Sequence, residues 1–280
     1  MQTNGTLRWS DFVPGRPENL DNSANVRKNG EMWFIEQFRE QGWLKFGGMF
    51  ERAFIDDLHR EYRRQYETLA ASPHRQLGPS RLQLSVKLTG PFLDSRLYAN
   101  PLLLGILSQL LGDDLLIDSL NCITSLPGAA DQAPHRDHPK LFPEASNLNH
   151  QLMPFGVLVA IPLIDLTPES GTTKIFLGIQ RDAKVNRSET PYLARGDCFL
   201  MDYRTKHLGT ANCSSEERPI IYIAYTRPWF TDENNFSYQE RILVDLADLR
   251  KIQLEHLPLF RRLATKGGLN ISKEQLFNER

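Results

Sequence analysis

The sequence has few cysteines and no long apolar run. Its three cysteines, Cys122, Cys198 and Cys213, form no CxxC pair, and a disulfide between any two would leave one thiol over. This pattern is typical of reduced thiols, so we expect a cytoplasmic protein. The longest apolar run, residues 155–164, is too short to cross a bilayer, and residues 1–20 lack the apolar segment of a signal peptide. The sequence therefore predicts no association with a membrane.

An excess of charge of one sign is also missing. Among 280 residues, 33 are Lys or Arg and 34 are Asp or Glu, and the two signs are interspersed along the chain. Nucleic acids and anionic membranes bind proteins that carry a concentrated basic surface. The formal net charge of −1 therefore argues against a nucleic-acid partner.

The motifs of several common enzyme classes are absent as well. The sequence contains no GxGxxG, GxxxxGK[ST], HExxH, GxSxG or CxxC. These motifs carry, respectively, dinucleotide binding, phosphate binding, zinc proteolysis, the nucleophile of α/β-hydrolases and zinc ribbons. Each of these function classes therefore loses its sequence support.

The apolar pattern predicts one domain over residues 1–280 that consists of four parts. Residues 1–30 form a polar arm, and residues from about 31–112 form a helical flank. Short β-rich runs separated by Pro, Gly, Asn and Asp follow over about 113–236, which is typical of a sandwich or barrel. Helical periodicity returns over about 237–280. The predicted fold class is mainly β, with a β core and helices from both ends packed around it.

Three helices and one strand are predicted within the flank. Residues 31–43 read as an aromatic-rich helix, and residues 43–50 as a strand followed by a turn. Apolar residues over 54–69 recur at helical spacing opposite a polar face. A further helix is predicted over 100–112, where a proline stands at the start and a glycine at the end.

The heptapeptide APHRDHP at residues 133–139 raises the question of a metal site. In a strand, residues i and i+2 point to the same face, so His135 and Asp137 would present an imidazole and a carboxylate together. His138 would then face away and have a structural role. Two histidines and one carboxylate on one face of an octahedron hold Fe(II) and leave open positions. A polar turn is the alternative, since a His-x-Asp tripeptide arises by chance in roughly a third of such chains.

A third ligand and an anion-binding residue follow downstream. His207 comes after the strand-like run 198–203. Arg218 lies eleven residues beyond it, at the start of the β-rich run 219–225. An arginine at the start of an inward-facing strand can form a bidentate pair with a ligand carboxylate, and it is costly to bury without such a partner. Together with the His-x-Asp pair, these residues favour a metal site that takes a carboxylate co-substrate.

With these residues in place, the sequence resembles the phytanoyl-CoA dioxygenase branch of the iron(II)/2-oxoglutarate-dependent oxygenases. The resemblance covers about residues 31–236 and rests on the pattern H-x-D … H-x(10)-R. It implies a double-stranded β-helix, the cupin-like jelly-roll, with flanking helices, which agrees with the predicted strands. It also implies that His135, Asp137 and His207 ligate iron. Arg218 would bind the distal carboxylate of 2-oxoglutarate.

The resemblance implies further contacts with the co-substrate. The segment ESGTTKIFLGIQR, residues 169–181, is similar to the family's NGPT-x-x-x-PGSHR and places Thr173 at a co-substrate position. It departs from the family at residues 177–180, which read LGIQ instead of PGSH. Gln132, three residues before the first ligand, is a second candidate contact. Three residues are candidates for the substrate pocket: Arg81, Tyr203 and Trp229.

The implied function is that of an oxidoreductase using Fe(II), 2-oxoglutarate and O2 on a small molecule of specialised metabolism. An unactivated C–H bond would be oxidised while 2-oxoglutarate is converted to succinate and CO2. Asp137 stands where halogenating relatives carry a small residue, so hydroxylation is favoured over halogenation. Desaturation or epoxidation at the same site stays open.

Two other classes of protein also stay open. One is a non-catalytic jelly-roll that binds a ligand, although such a protein has no need of the complete set of ligands. The other is a zinc-dependent hydrolase with the same His/Asp set, which leaves Arg218 unexplained. A homodimer formed through the aromatic-rich N-terminal segment is open too, and the sequence does not identify the substrate.

Overall fold

Mostly antiparallel strands form the centre of the molecule. The structure, a computed structural model, describes residues 7–8, 34–142, 146–177, 187–236 and 239–263. The strands are β1 (Leu7–Arg8), β2 (Trp43–Gly47), β3 (Arg75–Gln76), β4 (Arg81–Ser85), β5 (Leu116–Ser125), β6 (Gly156–Pro162), β7 (Thr173–Phe176), β8 (Ser188–Glu189), β9 (Cys198–Asp202), β10 (His207–Gly209) and β11 (Arg218–Thr226). The helices are α1 (residues 34–41), α2 (Arg52–Ala71), α3 (Ser95–Tyr98), α4 (Pro101–Leu111), α5 (Ser146–Gln151) and α6 (Leu246–Leu249). Two 3₁₀ helices span Gly90–Leu93 and Leu254–Phe260.

The strands form two sheets. The large sheet has eight strands in the order β1-β2-β9-β6-β11-β5-β4-β3, and the small sheet has three in the order β10-β7-β8. Pairings between these strands are antiparallel except that of β1 with β2. Ile175 on β7 and Phe199 on β9 belong to one buried apolar cluster, so the sheets pack face to face. This arrangement is the predicted jelly-roll.

Alternation along the central strands separates two apolar cores. Ile221, Ile223 and Tyr225 on β11 belong to a core that also contains residues of α2 and α4. Tyr222 and Ala224 belong to the core between the two sheets. Because successive side chains of a strand point to opposite faces, β11 is buried on both sides and reads as an almost unbroken apolar run. The face toward the small sheet carries the side chains of the candidate site.

The two long helices predicted in the flank are confirmed. Helix α2 buries the expected apolar face: Phe54, Ile55, Leu58, Tyr62 and Leu69. Helix α4 begins after Asn100, whose Oδ1 accepts hydrogen bonds from the backbone N of Leu102 at 3.0 Å and Leu103 at 3.4 Å. It ends at Gly112, whose φ of 93° is readily adopted only by glycine.

The flank also supplies strands that the sequence analysis did not predict. Strands β3 and β4 precede residue 113 and belong to the large sheet, as does the predicted β2. On β4, Arg81 and Gln83 line a cavity, whereas Leu82 and Leu84 face the helix-side core. Because its inner face is polar, β4 lacks the long apolar run by which the sequence predicts the other strands.

The two ends of the chain are described only in part. Strand β1 lies in the predicted polar arm and pairs in parallel with the end of β2; the rest of residues 1–30 and residues 264–280 lie outside the described residues. The C-terminal segment contains the four-residue α6 and a 3₁₀ helix with Pro258 inside it, not one long helix. Proline lacks the N–H that would continue an α-helix.

The three cysteines are free thiols, as expected. Cys122 and Cys198 are buried and Cys213 is exposed. Burial raises the pKa of the Cys122 thiol to about 12, so this thiol is unreactive at neutral pH. Within the described part of the chain, every helix is too short or too polar to cross a bilayer.

Gly156 at the start of β6 provides a test of the packing around Tyr203. The Tyr203 backbone N donates to the Gly156 carbonyl at 3.1 Å, and a Cβ at position 156 would lie 2.7 Å from Tyr203 Cε2. We expect Gly156→Ala to lower the free energy of unfolding by about 1–3 kcal/mol, because a buried aromatic ring must move. Urea denaturation measures this change.

The control is Gly105→Ala in α4, where an added Cβ has no atom within 4 Å. This variant should be slightly more stable than the wild type, because alanine favours the helix. An unchanged denaturation midpoint for Gly156→Ala would contradict the close packing of Gly156 against Tyr203.

Candidate metal centre

Two of the predicted ligands lie directly opposite each other in the backbone. The His135 N donates to the His207 carbonyl at 2.9 Å, and the His207 N donates to the His135 carbonyl at 2.8 Å. The centroids of the two imidazole rings are 4.5 Å apart. His135 forms only a single bridge to β10 and not the predicted strand. Pro134 and Pro139 flank it, and proline cannot donate to a strand ladder.

The third predicted ligand completes a compact group. Asp137 Oδ1 lies 3.6 Å from His207 Nε2. Each of the three residues offers one ligand atom, and the three atoms all lie within 4.8 Å of one another. Asp137 Oδ2 is buried and has no hydrogen-bond partner among the described residues. A buried carboxylate oxygen without a partner is costly, and a cation between the three side chains would satisfy it.

The orientation of both imidazoles suits a metal. His135 Nδ1 lies 2.9 Å from the Ala133 carbonyl, and His207 Nδ1 lies 3.0 Å from the Thr205 carbonyl. Because a carbonyl can only accept, each Nδ1 carries the proton and each Nε2 keeps a free lone pair. Burial, followed by the proximity of His207, lowers the pKa of His135 and favours the neutral form that binds a metal. The three side chains therefore fit a divalent cation.

A row of polar residues crosses the large sheet at one end of the same cavity. The strand register places Ser125 on β5 between Arg81 on β4 and Arg218 on β11. Ser125 Oγ accepts hydrogen bonds from Arg81 Nε at 2.8 Å and from Arg218 Nη2 at 2.8 Å. Both arginines are 3% exposed, so their charges are almost completely removed from water.

These two guanidinium groups bind only neutral oxygens within the described residues. Arg218 Nη1 donates to the carbonyls of Ser170 and Thr210, each at 2.9 Å, and Arg81 Nη2 donates to the carbonyls of Ala130 at 3.1 Å and Thr210 at 3.0 Å. Arg218 Nε is buried without a partner there. Burial, and next the charge of Arg81, lower the pKa of Arg218 to about 10. Two buried cations that form no ion pair with the described residues make this end of the cavity a site for an anion, although the Asp131 carboxylate attracts both weakly from further away.

Gln132 and Thr173 also face this cavity. Gln132 Oε1 accepts from the Gly209 N at 2.8 Å, and the Thr173 and Tyr222 hydroxyls lie 3.3 Å apart. A Cβ at Gly209 would lie 2.6 Å from Gln132 Oε1, so only glycine allows this close approach. Both predicted co-substrate contacts therefore line the cavity that the metal ligands, Arg81 and Arg218 share.

The three metal ligands and the two arginines of the polar row (the arginine row, Arg81 and Arg218) line one cavity of about 770 Å3. Arg81 and Tyr203, two of the predicted pocket residues, belong to its described lining. Trp229 does not: it is 60% exposed, and its ring lies 6.0 Å from that of Phe155. His138 has the expected structural role, because its ring packs against Phe230 at 5.0 Å and away from the cavity.

Several cavity residues were not identified from the sequence. Ser119 and Asn121 on the inner face of β5 line the cavity, as does Tyr222, which lies opposite Asn121 on β11. The period-two recurrence of polar residues in a buried strand was the available signal. The apolar residues between them hide this recurrence, because they make the segment as a whole read as apolar.

No family model matches the chain, but solved structures do. The epimerase SnoN in complex with Fe3+, α-ketoglutarate and nogalamycin RO is 17% identical, with a TM-score of 0.57 over 71% of this chain and 84% of that chain. AviO1 from Streptomyces viridochromogenes Tue57 is 18% identical, with a TM-score of 0.52 over 76% of this chain and 98% of that chain. The non-haem α-ketoglutarate-dependent carbocyclase SnoK from nogalamycin biosynthesis is 16% identical, with a TM-score of 0.51 over 69% of this chain and 82% of that chain.

The chain has the fold of non-haem α-ketoglutarate-dependent enzymes. Identities of 16–18% establish the fold alone. The resemblance to the phytanoyl-CoA dioxygenase branch stays a prediction.

Metal binding tests the assignment of the three ligands. We expect one Fe(II) per chain in anaerobic isothermal titration calorimetry, and a loss of affinity of at least about 100-fold in Asp137→Ala and in His207→Ala, because each removes a ligand. His74→Ala is the matched control, since this histidine lies outside the cavity and its Nδ1 contacts the Ser72 carbonyl. Equal affinities of the wild type and the two ligand variants would contradict the assignment.

Proposed function

We propose that the protein is a non-haem Fe(II)/2-oxoglutarate-dependent dioxygenase that oxidises an unactivated C–H bond of a small molecule. The observation that carries this proposal is the pairing, in one cavity, of a His-Asp-His group with two buried arginines that form no ion pair with the described residues. The His-Asp-His group needs a cation, and the two arginines need an anion. A metal chelated by a dicarboxylate supplies both at once.

The three ligands would hold Fe(II), which together with 2-oxoglutarate and O2 supplies the oxidising power for C–H cleavage, with succinate and CO2 as co-products. His135 and His207 are oriented for this by their Nδ1 contacts with backbone carbonyls. Asp137 contributes the negative charge that favours a divalent cation over a neutral occupant. The solved structure of SnoN, which contains Fe3+ and α-ketoglutarate, supports the proposal through the shared fold.

Arg218 would bind the distal carboxylate of 2-oxoglutarate. Its Nε is without a partner among the described residues and Arg81 adds a second cation in the same row, so a carboxylate there gains charge-assisted hydrogen bonds. Gln132 and Thr173 line the same cavity and would orient the co-substrate. These residues position the reactants, and no acid–base pair of the protein is required.

The apolar part of the wall would limit the access of water. The same cavity is also lined by the apolar residues Ile123, Leu158 and Ile220. A drier cavity strengthens the charge interactions at both ends and suppresses turnover without substrate.

The outcome of oxidation is most simply hydroxylation, since Asp137 fills the position at which a small residue would admit a halide. A second candidate is stereochemical inversion or ring closure after hydrogen removal. It is favoured because one of the similar structures is an epimerase and another a carbocyclase. Both come from nogalamycin biosynthesis, which supports a role of this protein in specialised metabolism.

The proposal extends to the location and partners of the protein. The three free thiols support a cytoplasmic enzyme. The expected partner is a small-molecule substrate, and association into a homodimer remains a prediction.

Co-substrate binding tests the proposal directly. We expect anaerobic addition of Fe(II) and 2-oxoglutarate to give a visible metal-to-ligand charge-transfer band that requires both. In Arg218→Met, half-saturation should need at least about 30-fold more 2-oxoglutarate, because loss of one partner of a buried charge pair costs about 2–5 kcal/mol. Arg60→Met on the exposed face of α2 is the control and should match the wild type.

Absence of the band in folded, iron-loaded wild type would reject the oxygenase. Tight binding of Zn(II) with no response to 2-oxoglutarate would instead favour the zinc-dependent hydrolase.

A further inference from the structure

Beyond the arginine row, β5 presents two further polar side chains to the cavity. Asn121 is 4% exposed and Ser119 is 1% exposed, and both belong to the cavity lining. Asn121 Oδ1 and Ser119 Oγ have no hydrogen-bond partner among the described residues. At about 3.3 Å per residue, they lie about 13 and 20 Å along the strand from Ser125. They therefore belong to the part of the cavity away from the distal-carboxylate site.

The surroundings of these two side chains are uncharged. In the strand register, Asn121 lies opposite Tyr222 and Ser119 lies opposite Ala224 on β11. Leu158 on β6 follows Ala224 in the same row and also lines the cavity. On the other side Asn121 lies opposite Ser85 on β4, so the two unpartnered groups stand among uncharged residues, some polar and some apolar.

The other cations that line the described part of the cavity already bind neutral groups. Arg75 Nη1 donates to Asn235 Oδ1, and Arg136 Nε donates to the Arg204 carbonyl at 2.9 Å. Arg75 and Arg136 are also half-exposed, so water screens their charges, and an anionic substrate would gain less from them than from the buried arginine row that the co-substrate would occupy.

The carboxylates in the described lining, apart from that of Asp137, accept hydrogen bonds from neutral groups of the protein. Asp131 Oδ1 accepts from the Ala211 N at 2.6 Å, and Asp232 Oδ1 accepts from the N of Asn234 and of Asn235, each at 3.1 Å. A cationic substrate thus finds no carboxylate that lacks hydrogen bonds in this part of the structure.

A purely apolar substrate is disfavoured by Asn121 and Ser119 themselves. A cavity of about 770 Å3 admits water, which can bind both groups when no ligand is present. A substrate that displaces this water without replacing its hydrogen bonds leaves two buried polar groups unsatisfied, which lowers its affinity.

We propose that Asn121 and Ser119 bind the substrate, and that the substrate is an uncharged molecule carrying hydroxyl groups. Asn121 Oδ1 accepts a hydrogen bond from one substrate hydroxyl, and the Ser119 hydroxyl donates to or accepts from another. This inference rests on the proposed function, because it places the substrate beside a metal-bound co-substrate. The apolar wall then packs against the carbon skeleton of the substrate.

Three six-membered-ring probes test the substrate class. Methyl glucoside is neutral and hydroxylated, methyl glucuronide adds a carboxylate, and methoxycyclohexane lacks the hydroxyls. We would measure their dissociation constants by saturation-transfer difference NMR on protein loaded with Zn(II), which is diamagnetic, and 2-oxoglutarate. Methyl glucoside should bind at least about fivefold more tightly than methoxycyclohexane, as expected for two neutral hydrogen bonds. It should also bind more tightly than methyl glucuronide, because the carboxylate of that ring would lose its water without gaining a cationic partner.

Variants assign the preference to the two residues. Asn121→Leu and Ser119→Ala should each weaken methyl glucoside about 3- to 10-fold, as expected for the loss of one hydrogen bond. Neither should lower the denaturation midpoint of the ligand-free protein, because neither breaks a hydrogen bond within the described residues. Ser85→Ala on the neighbouring strand β4 is the matched control: the Ser85 Oγ donates to the Glu240 carbonyl, so this variant should lower the midpoint and leave probe binding unchanged.

The outcomes separate this inference from the proposed function. Equal binding of the three probes, binding of none, or a preference for the charged or apolar ring would overturn the substrate class. Loss of the Fe(II)–2-oxoglutarate charge-transfer band in Asn121→Leu would make this residue a co-substrate contact and overturn its assignment to the substrate. A missing band in the wild type would reject the oxygenase itself, whereas a normal band without a probe preference would reject only the inference.

Discussion

Backbone pairing between distant segments places the side chains of the candidate site. Two hydrogen bonds between His135 and His207 join a proline-bounded loop to the small sheet. The register of β4, β5 and β11 brings Arg81, Ser125 and Arg218 into one row. Because a slip of one residue would turn each side chain to the opposite face, the apolar cores that fix the register also fix the site.

The cavity holds opposite charges at separate places, and the two arginines form no ion pair with the described part of the protein. Asp137 has an unpartnered carboxylate oxygen, while Arg81 and Arg218 face each other across a single hydroxyl group. Such groups lower stability, and the extensive cores on both sides of the large sheet offset this cost. Proteins retain unfavourable arrangements of this kind where a ligand supplies the missing charge. A jelly-roll that bound only a neutral ligand would have no use for them.

Local spacing was sufficient to identify the residues that come together, but not the way in which they do so. His135 and Asp137 were expected on a strand, and the structure instead uses a single bridge and a bend. Arg218 stands at the start of β11, where the β-rich run predicts it, whereas His207 begins β10, a three-residue strand that the sequence analysis does not predict. Spacing along the chain reports which side chains share a segment and says nothing about the loop geometry between prolines.

Contacts between strands were beyond the reach of the sequence. Arg81 was a candidate for the substrate pocket, but its place beside Arg218 depends on the register of β4 with β5. The polar inner face of β5 was hidden for a related reason. Ser119 and Asn121 interrupt an apolar pattern, and only the cavity explains why polar residues are buried there.

The row of two arginines and one serine also affects how the chain folds. Ser125 Oγ binds arginines that are 44 and 93 positions away in the sequence. Contacts over such separations form slowly, because three strands must dock before they exist. Iron and 2-oxoglutarate would bind only the assembled cavity and would stabilise it afterwards by mass action. The nascent chain must therefore complete its sheet against the mutual repulsion of its own guanidinium groups, before any ligand can relieve it.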